Sequence, residues 1–373
     1  MTVETVERRR TKEVTIGSVK IGAEHPIAVQ SMTTTRTEDV AATLTEIHAL
    51  EAAGVEMIRV AVPFEESARV LPDLKREMTV PLVADIHFDA RMAILAMEAG
   101  VEKIRLNPGN ISQQKRVERI VAMAKERGIP IRIGVNSGSV EAQFLHKYGS
   151  PTPAAMVESA LRHIGILEDM DFHDIVLSLK STDTLAAVRA YRLASERLPY
   201  PLHLGITEAG QPGYGELKSA AGLGGLLLDG IGDTVRVSLS GDSTLEVKAA
   251  FDILKATGRR ILDPEVVACP SCGRIEIDLF PLVKQVEEYA KTLGDVPIRI
   301  SVLGCPVNGP GEAREADIGV AGGRQQGFIY RRGVQVRKVK EHELLPAMKE
   351  EVQKFLADQA NDTEISGAGI KAV

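Results

Sequence analysis

The first 257 residues repeat one unit eight times: a short β-rich run followed by a helical stretch. The strand-like runs fall near Ile27–Met32, Met57–Val62, Leu82–His87, Lys103–Asn107, Ile131–Asn136, Asp174–Lys180, Leu202–Thr207 and Thr234–Ser240. Helical patterns such as Glu38–Ala53, Asp89–Ala99, Ser112–Arg127 and Pro153–Asp169 lie between them. Parallel strands need helical crossovers, and eight such units in series predict a closed TIM (β/α)8 barrel over residues 1–257. An open doubly wound sheet is the competing arrangement, but no dinucleotide-type glycine fingerprint opens the first unit. Glu13–Gly22 predicts a hairpin turning at Gly17-Ser18, placed to plug the bottom of the barrel.

Residues 258–373 have a different pattern: a linker near Leu262–Val267, a helix near Ile277–Leu293, and a strand at Ile298–Leu303. A strand near Asp317–Ala321, a hairpin across Gly327–Lys338 and a helix over Glu341–Gln359 follow. This predicts a small α+β domain ending in a flexible tail from Asn361 to Val373.

Alternation along the barrel strands carries the functional argument. Side chains on a strand point to opposite faces in turn. In Ile104-Arg105-Leu106-Asn107 the aliphatics share one face, and Arg105 and Asn107 the other. Ile131–Asn136 repeats this with Arg132 and Asn136, Val235–Ser240 with Arg236 and Ser238, and Ile58–Val62 with Arg59. The aliphatic face must meet the surrounding helices, so the arginines point inward. Such an interior is normally filled by branched aliphatics. Unpaired buried charges destabilise, so something anionic must compensate them. Internal carboxylates such as Asp85 are one answer. A phosphorylated ligand is the other, and recurrence on four strands favours it, because guanidinium presents a planar fork to phosphate oxygens.

Further polar groups cluster where the strands end, which is where barrel enzymes place their chemistry. Asp85 and His87 close the third strand, Lys180 the sixth, and His203, Thr207 and Glu208 belong to the seventh. Glu208 reads as a proton donor or charge stabiliser, or else as a cap on the next helix. Gly222-Leu223-Gly224-Gly225 falls in a helical region and reads as close packing. Ser240-Gly241-Asp242-Ser243 starts a helix and is a better phosphate candidate.

The formal net charge of -6 makes general nucleic-acid binding a poor fit. No apolar run is long enough for a bilayer, and Arg8-Arg9-Arg10 is followed by no apolar stretch, which points to the cytoplasm. There the three cysteines, Cys269, Cys272 and Cys305, are expected to be reduced and free to bind metal. Cys269-Pro270-Ser271-Cys272 alone is compatible with a redox dithiol, half a zinc site or an inert turn. A structural zinc site normally takes four protein ligands. Three thiolates suit a [4Fe-4S] cluster with one distinctive iron, its fourth ligand being Glu312, a substrate oxygen, or each in turn.

These motifs resemble the bacterial 4-hydroxy-3-methylbut-2-en-1-yl diphosphate synthase family, known as GcpE or IspG. The resemblance runs from Pro26–Thr33 to the final helix. Its most specific pieces are Ala84–Phe88, Ile104–Asn110, Ile131–Ser139, Leu204–Gly210, and Ala268–Arg274 combined with Gly304–Glu312. It implies reductive ring opening and dehydroxylation of 2-C-methyl-D-erythritol 2,4-cyclodiphosphate, within the methylerythritol phosphate route to isoprenoids. It implies a [4Fe-4S] cluster on Cys269, Cys272, Cys305 and Glu312, with flavodoxin or ferredoxin as electron donor. Arg59, Arg105 and Arg132 would clamp the diphosphate, assisted by Asn107, Asn136, Lys180 and Ser238, with Glu208 as the acid. The family also implies a head-to-tail homodimer. A pterin-binding barrel transferase with a metal-stabilised appendage is the alternative reading, and an electron carrier using only the C-terminal domain a third.

Overall fold

The computed structural model describes residues 6–86, 89–107, 111 and 114–368, with backbone alone from 360 onward. His87 and the Pro108–Asn110 part of its neighbouring motif lie outside the described residues. Contacts divide the chain into two units, Met1–Arg260 and Ile261–Val373.

The first unit opens with the expected hairpin, β1 (Val14–Ile16) and β2 (Val19–Ile21). Eight parallel strands follow: β3 (Ala28–Met32), β4 (Met57–Ala61), β5 (Leu82–Asp85), β6 (Lys103–Arg105), β7 (Ile131–Asn136), β8 (Ile175–Lys180), β9 (His203–Leu204) and β10 (Thr234–Val235). Their order is β8-β7-β6-β5-β4-β3-β10-β9, and a bridge from Leu177 to Leu202 joins the two ends of the sheet. The doubly wound alternative is thereby excluded. β9 and β10 are shorter than the sequence suggests. Beyond them the backbone bonds singly, Arg236 N–H to the Leu204 carbonyl (3.0 Å) and Thr207 N–H to that of Ser181 (3.3 Å).

Outward residues of the strands, such as Ile58, Val60, Ile104, Ile131, Ile133 and Val235, form one apolar core with the helices. Asp39, Asp89, Thr152, Asp183 and Asp242 cap five of those helices, each side chain accepting a backbone N–H that would otherwise lack a partner. The glycine-rich run lies inside the helix Tyr214–Leu228, as close packing requires: a Cβ on Gly222 would come within 2.6 Å of Ile206.

A separate apolar cluster closes the bottom. Val14, Ile16 and Ile21 of the hairpin pack on the lowest inward residues Ala28, Met57, Val83 and Val176. The arginine run straps the N-terminal segment to this end. Arg8 pairs with buried Asp233 (3.1 Å), Arg9 N–H donates to the Gly230 carbonyl (2.9 Å), and Arg10 pairs with Glu24 (3.1 Å).

The second unit is a five-stranded mixed sheet, β11 (Glu265–Ala268), β12 (Arg299–Leu303), β13 (Ile318–Gly323), β14 (Gln326–Arg331) and β15 (Val334–Lys340), in that order. β11 takes up the second half of the stretch expected to be a linker. Four residues at a sheet edge with partly exposed side chains show too little alternation to be seen in sequence. The helices Leu279–Lys291 and Leu344–Ala368 cover the face built by Ile300, Val302, Ile318, Val320 and Ile329. The terminal helix continues past Asn361, where the composition suggested a flexible tail; residues 369–373 lie outside the described residues.

Replacing Ile16, fully buried in the plug, by Ala is expected to lower the unfolding free energy by about 2–5 kcal/mol. Urea denaturation of the full chain measures this, and a loss well below that range would show that the hairpin does not seal the barrel.

Candidate active site

The inward face of the barrel carries the cations that alternation predicts. Asp85 pairs in register with Arg105, and Arg105 with Arg132, so three charged residues stand side by side on adjacent strands. Arg59, Arg105 and Asp85 are each 7% exposed and Arg132 only 1%. The Asp85 carboxylate bridges two of the arginines, 3.8 Å from Arg59 Nε and 3.6 Å from Arg105 Nη1. Arg59 also donates from Nε to the Met32 sulfur (3.0 Å). Burial, reinforced by Arg236 and Arg105 and opposed by Asp85, pushes the Arg59 guanidinium down to about 10.

Arg132 donates from Nη1 to Ser178 Oγ (2.6 Å), while its Nε has no hydrogen-bond partner among the described residues. Burial and the neighbouring Arg59 and Arg105 depress it strongly. Arg105 lies flat on β7, with Nη2 donating to the Gly134 carbonyl (3.1 Å). A side chain at Gly134 would place Cβ 2.9 Å from Arg105 Nε, so glycine there lets the guanidinium settle against the strand.

Asn107 donates to the Gly134 carbonyl and accepts from the Gly134 N–H, both at 2.9 Å. Both ends of its amide thus hold the β6–β7 junction. Asn136 ends β7 half-buried and opens the turn Ser137–Ser139. Lys180, 7% exposed at the end of β8, is driven well below its ordinary range by burial and by Arg59, Arg132 and Arg236. His203 lies deeper, fully buried, with Nδ1 2.8 Å from Thr234 Oγ1, and burial beside Lys180 and Arg132 keeps its ring neutral.

Arg236 is compensated differently. It meets Glu246 (3.3 Å), a buried carboxylate on the helix Ser243–Ala256 that also accepts from Ser31 Oγ (3.1 Å) and Leu239 N–H (2.9 Å). Sequence reasoning missed Glu246. The available signal was a carboxylate sharing the helical stripe of Ala250, Ile253 and Leu254. Ser238, two residues beyond Arg236, is half-buried. Lys103, also missed, lies fully buried one layer below Arg105.

Glu208 is exposed and holds a left-handed φ of 52°, a strained conformation for a non-glycine residue. The following helix is capped elsewhere, by Gly213 N–H donating to Glu216 (3.1 Å), so capping does not account for Glu208. The phosphate role expected for Ser240–Ser243 finds no support. Asp242 itself accepts the Thr244 N–H (2.9 Å), and Ser243 Oγ donates to Glu46 (2.7 Å).

In the second unit the cysteines gather at one end of the sheet. Cys269 and Cys305 follow the C-terminal ends of the adjacent parallel strands β11 and β12. Ser271 N–H points at Cys269 Sγ (3.4 Å). Backbone N–H groups of Asn308, Val307 and Gly309 favour the Cys305 thiolate, and Arg274 favours that of Cys272. Arg274 in turn feels Cys272, Cys305 and Cys269, so the three sulfurs share one electrostatic neighbourhood. Glu312 is exposed on the short helix Gly309–Ala313. Among the described residues, no three His, Cys, Asp or Glu side chains converge as a single-ion site would require. A four-iron cubane spreads its ligands over a wider frame than one ion does.

The fold and these two sites define a class: a cation-lined TIM barrel joined to a thiol-bearing α+β domain. Residues 11–251 match the GcpE TIM-barrel domain and residues 265–354 the GcpE protein C-terminal domain. The chain belongs to the GcpE family. It is 53% identical over 361 residues to a Bacillus cytotoxicus protein named 4-hydroxy-3-methylbut-2-en-1-yl diphosphate synthase (flavodoxin), covering 97% of this chain and 98% of that one. A Bacillus mycoides protein of the same name is 53% identical over 358 residues, covering 96% and 98%. Among solved structures, dihydropteroate synthase from Stenotrophomonas maltophilia aligns with a TM-score of 0.49 and 17% identity, covering 66% of this chain and 97% of that one. A likeness at that level carries no argument for a pterin substrate.

Asp85→Asn is expected to lower the unfolding free energy by about 3–5 kcal/mol, because Arg59 and Arg105 lose their shared counter-charge. Inorganic diphosphate should restore part of that loss in urea denaturation. A variant as stable as the wild type would remove Asp85 as the internal anion.

Proposed function

We propose that this chain is an oxidoreductase that opens the ring of 2-C-methyl-D-erythritol 2,4-cyclodiphosphate and removes a hydroxyl, giving 4-hydroxy-3-methylbut-2-enyl diphosphate in the methylerythritol phosphate pathway. The observation that carries this reading is the barrel interior. Among the described residues, Arg59 and Arg105 meet Asp85 and Arg236 meets Glu246, with Lys103, Arg132 and Lys180 buried beside them. Among the described residues, four guanidiniums against these two carboxylates leave a surplus that a doubly charged cyclic diphosphate would offset. Family membership supplies the substrate identity that charge alone does not.

The donor set of the second unit fits an iron–sulfur group. Three soft thiols, N–H groups directed at sulfur and a nearby guanidinium suit a thiolate-ligated cluster, and they leave one iron for an oxygen ligand such as Glu312. A [4Fe-4S] cluster on Cys269, Cys272, Cys305 and Glu312 would supply the reducing electrons, received from flavodoxin, the donor named for the relatives, or from ferredoxin.

The chain's own residues then divide the remaining work. Arg59, Arg105 and Arg132 bind phosphate oxygens, and Arg132 has an unpartnered Nε to offer. Lys180, Ser238 and Asn136 reach the ligand from neighbouring strand ends, whereas Asn107 keeps β7 in place. Arg236 and His203 shape the wall of the site. Glu208, at the exposed rim, holds the proton delivered to the departing hydroxyl. The enzyme works in the cytoplasm as a head-to-tail homodimer, in which each thiol-bearing domain serves its partner's barrel. Among the described residues no helix is long and apolar enough to cross a membrane.

Anaerobic reconstitution is expected to yield brown protein with about four irons per chain. Colourless protein with stoichiometric zinc would overturn the cluster assignment. Arg132→Ala should weaken binding of the cyclic diphosphate by about 1.5–3 kcal/mol per lost charged hydrogen bond, measured by calorimetry. Glu208→Gln should reduce turnover and leave that affinity nearly unchanged; full turnover would exclude Glu208 as the acid.

A further inference from the structure

Beneath the arginine layer the barrel holds one more cation, Lys103, on the strand that also carries Arg105. Its ammonium nitrogen is fully buried. It donates to Gln30 Oε1 (3.0 Å) and lies 3.7 Å from the Met57 sulfur, two partners without charge. The charged and titratable groups acting on it are Arg132 of β7, Arg59 of β4 and His203 of β9, the first two repelling it and the third held neutral. The hairpin plug separates it from the lower end of the barrel, where Val83 and Met57 form an apolar floor. Around it three buried polar atoms have no hydrogen-bond partner among the described residues: Gln30 Nε2, Arg132 Nε and His203 Nε2.

An amine in such a place can shed its charge, which a guanidinium cannot. Burial and like charges therefore fall on the lysine, and they depress it far below its ordinary range. A phosphorylated ligand above this layer changes the balance. Phosphate oxygens that engage Arg59 and Arg132 oppose the two charges repelling Lys103, so the ammonium form becomes tolerable. We propose that Lys103 is a further residue of the diphosphate site, a buried amine that takes one proton from solvent when a dianionic ligand seats above it. The proton passes from bulk buffer to Lys103 Nζ, and no bond to the ligand forms or breaks. This rests on the ligand class argued above.

The coupling has a definite sign. A group that gains a proton on binding makes affinity fall as pH rises, by up to about tenfold per pH unit between its free and bound titration points. It also gives this barrel a means of staying folded before substrate arrives, because the buried amine then carries no charge.

The test is calorimetry of the full chain with the cyclic diphosphate, without reductant so that no turnover occurs, in buffers of different ionisation enthalpy. The wild type should take up about one proton more than Lys103→Met, and its affinity should fall more steeply with pH than that of the variant. Gln30→Glu keeps the lysine but places a carboxylate beside it, so the amine stays charged in both states and the extra uptake should vanish here too. If the methionine variant does not fold, the glutamate variant alone decides. Equal proton uptake in wild type and variants overturns the role of Lys103 and leaves the ligand assignment standing. Absence of binding by the wild type overturns both.

Discussion

Like charges confined in a narrow cylinder repel one another strongly, and protein interiors screen that repulsion poorly. Everything in this barrel answers to that constraint. Asp85 stands between Arg59 and Arg105, and Glu246 reaches through the wall to Arg236. Arg132 rests on a serine hydroxyl, and Lys180 and Lys103 are held far below the ordinary range of an ammonium. Among the described residues these two carboxylates are too few to neutralise the four guanidiniums. That surplus is the basis of the anion site proposed above.

The scaffold supports this interior with unusual care at both ends. Below, an apolar hairpin excludes water from the lowest layer, while Arg8 and Asp233 hold the N-terminal segment against the base. Above, the aspartates and the threonine that cap the helices use their own carboxylates and hydroxyl on backbone N–H groups, so those N–H groups already have partners. Asn107 spends its amide on the Gly134 peptide, which keeps Arg105 and Arg132 at adjacent register. Glu208 is the exception to this economy. Its left-handed backbone is strain stored at a strand end, where a barrel enzyme keeps its reacting groups.

The thiol-bearing unit solves a different electrostatic problem. Thiolates need positive neighbours, and here backbone N–H groups near Cys305 and the Arg274 side chain provide them without a surrounding cationic cavity. Parallel pairing of β11 with β12 brings Cys269 and Cys305 to the same sheet end although they are far apart in sequence. The two units thus divide the labour proposed for them, one holding an anion and the other suited to electrons.

By itself the sequence determined the barrel, its hairpin plug, the inward set Arg59, Arg105, Arg132 and Arg236, and the nearness of Cys269 to Cys272. Each follows from a local rule: a period of two on strands, a period near 3.6 on helices, and short ligand spacing. It did not reveal β11, whose four edge residues carry no clear period, or the end of the terminal helix. Nor did it reveal which arginines are already paired. Glu246 meets Arg236 across a helix–strand contact, and Asp85 chooses its partners by register between strands. Lys103 shows the same limit: its parity is legible, but its isolation among uncharged partners is not. Which charges find a counter-charge depends on distances between residues remote in the chain, and only tertiary packing sets those distances.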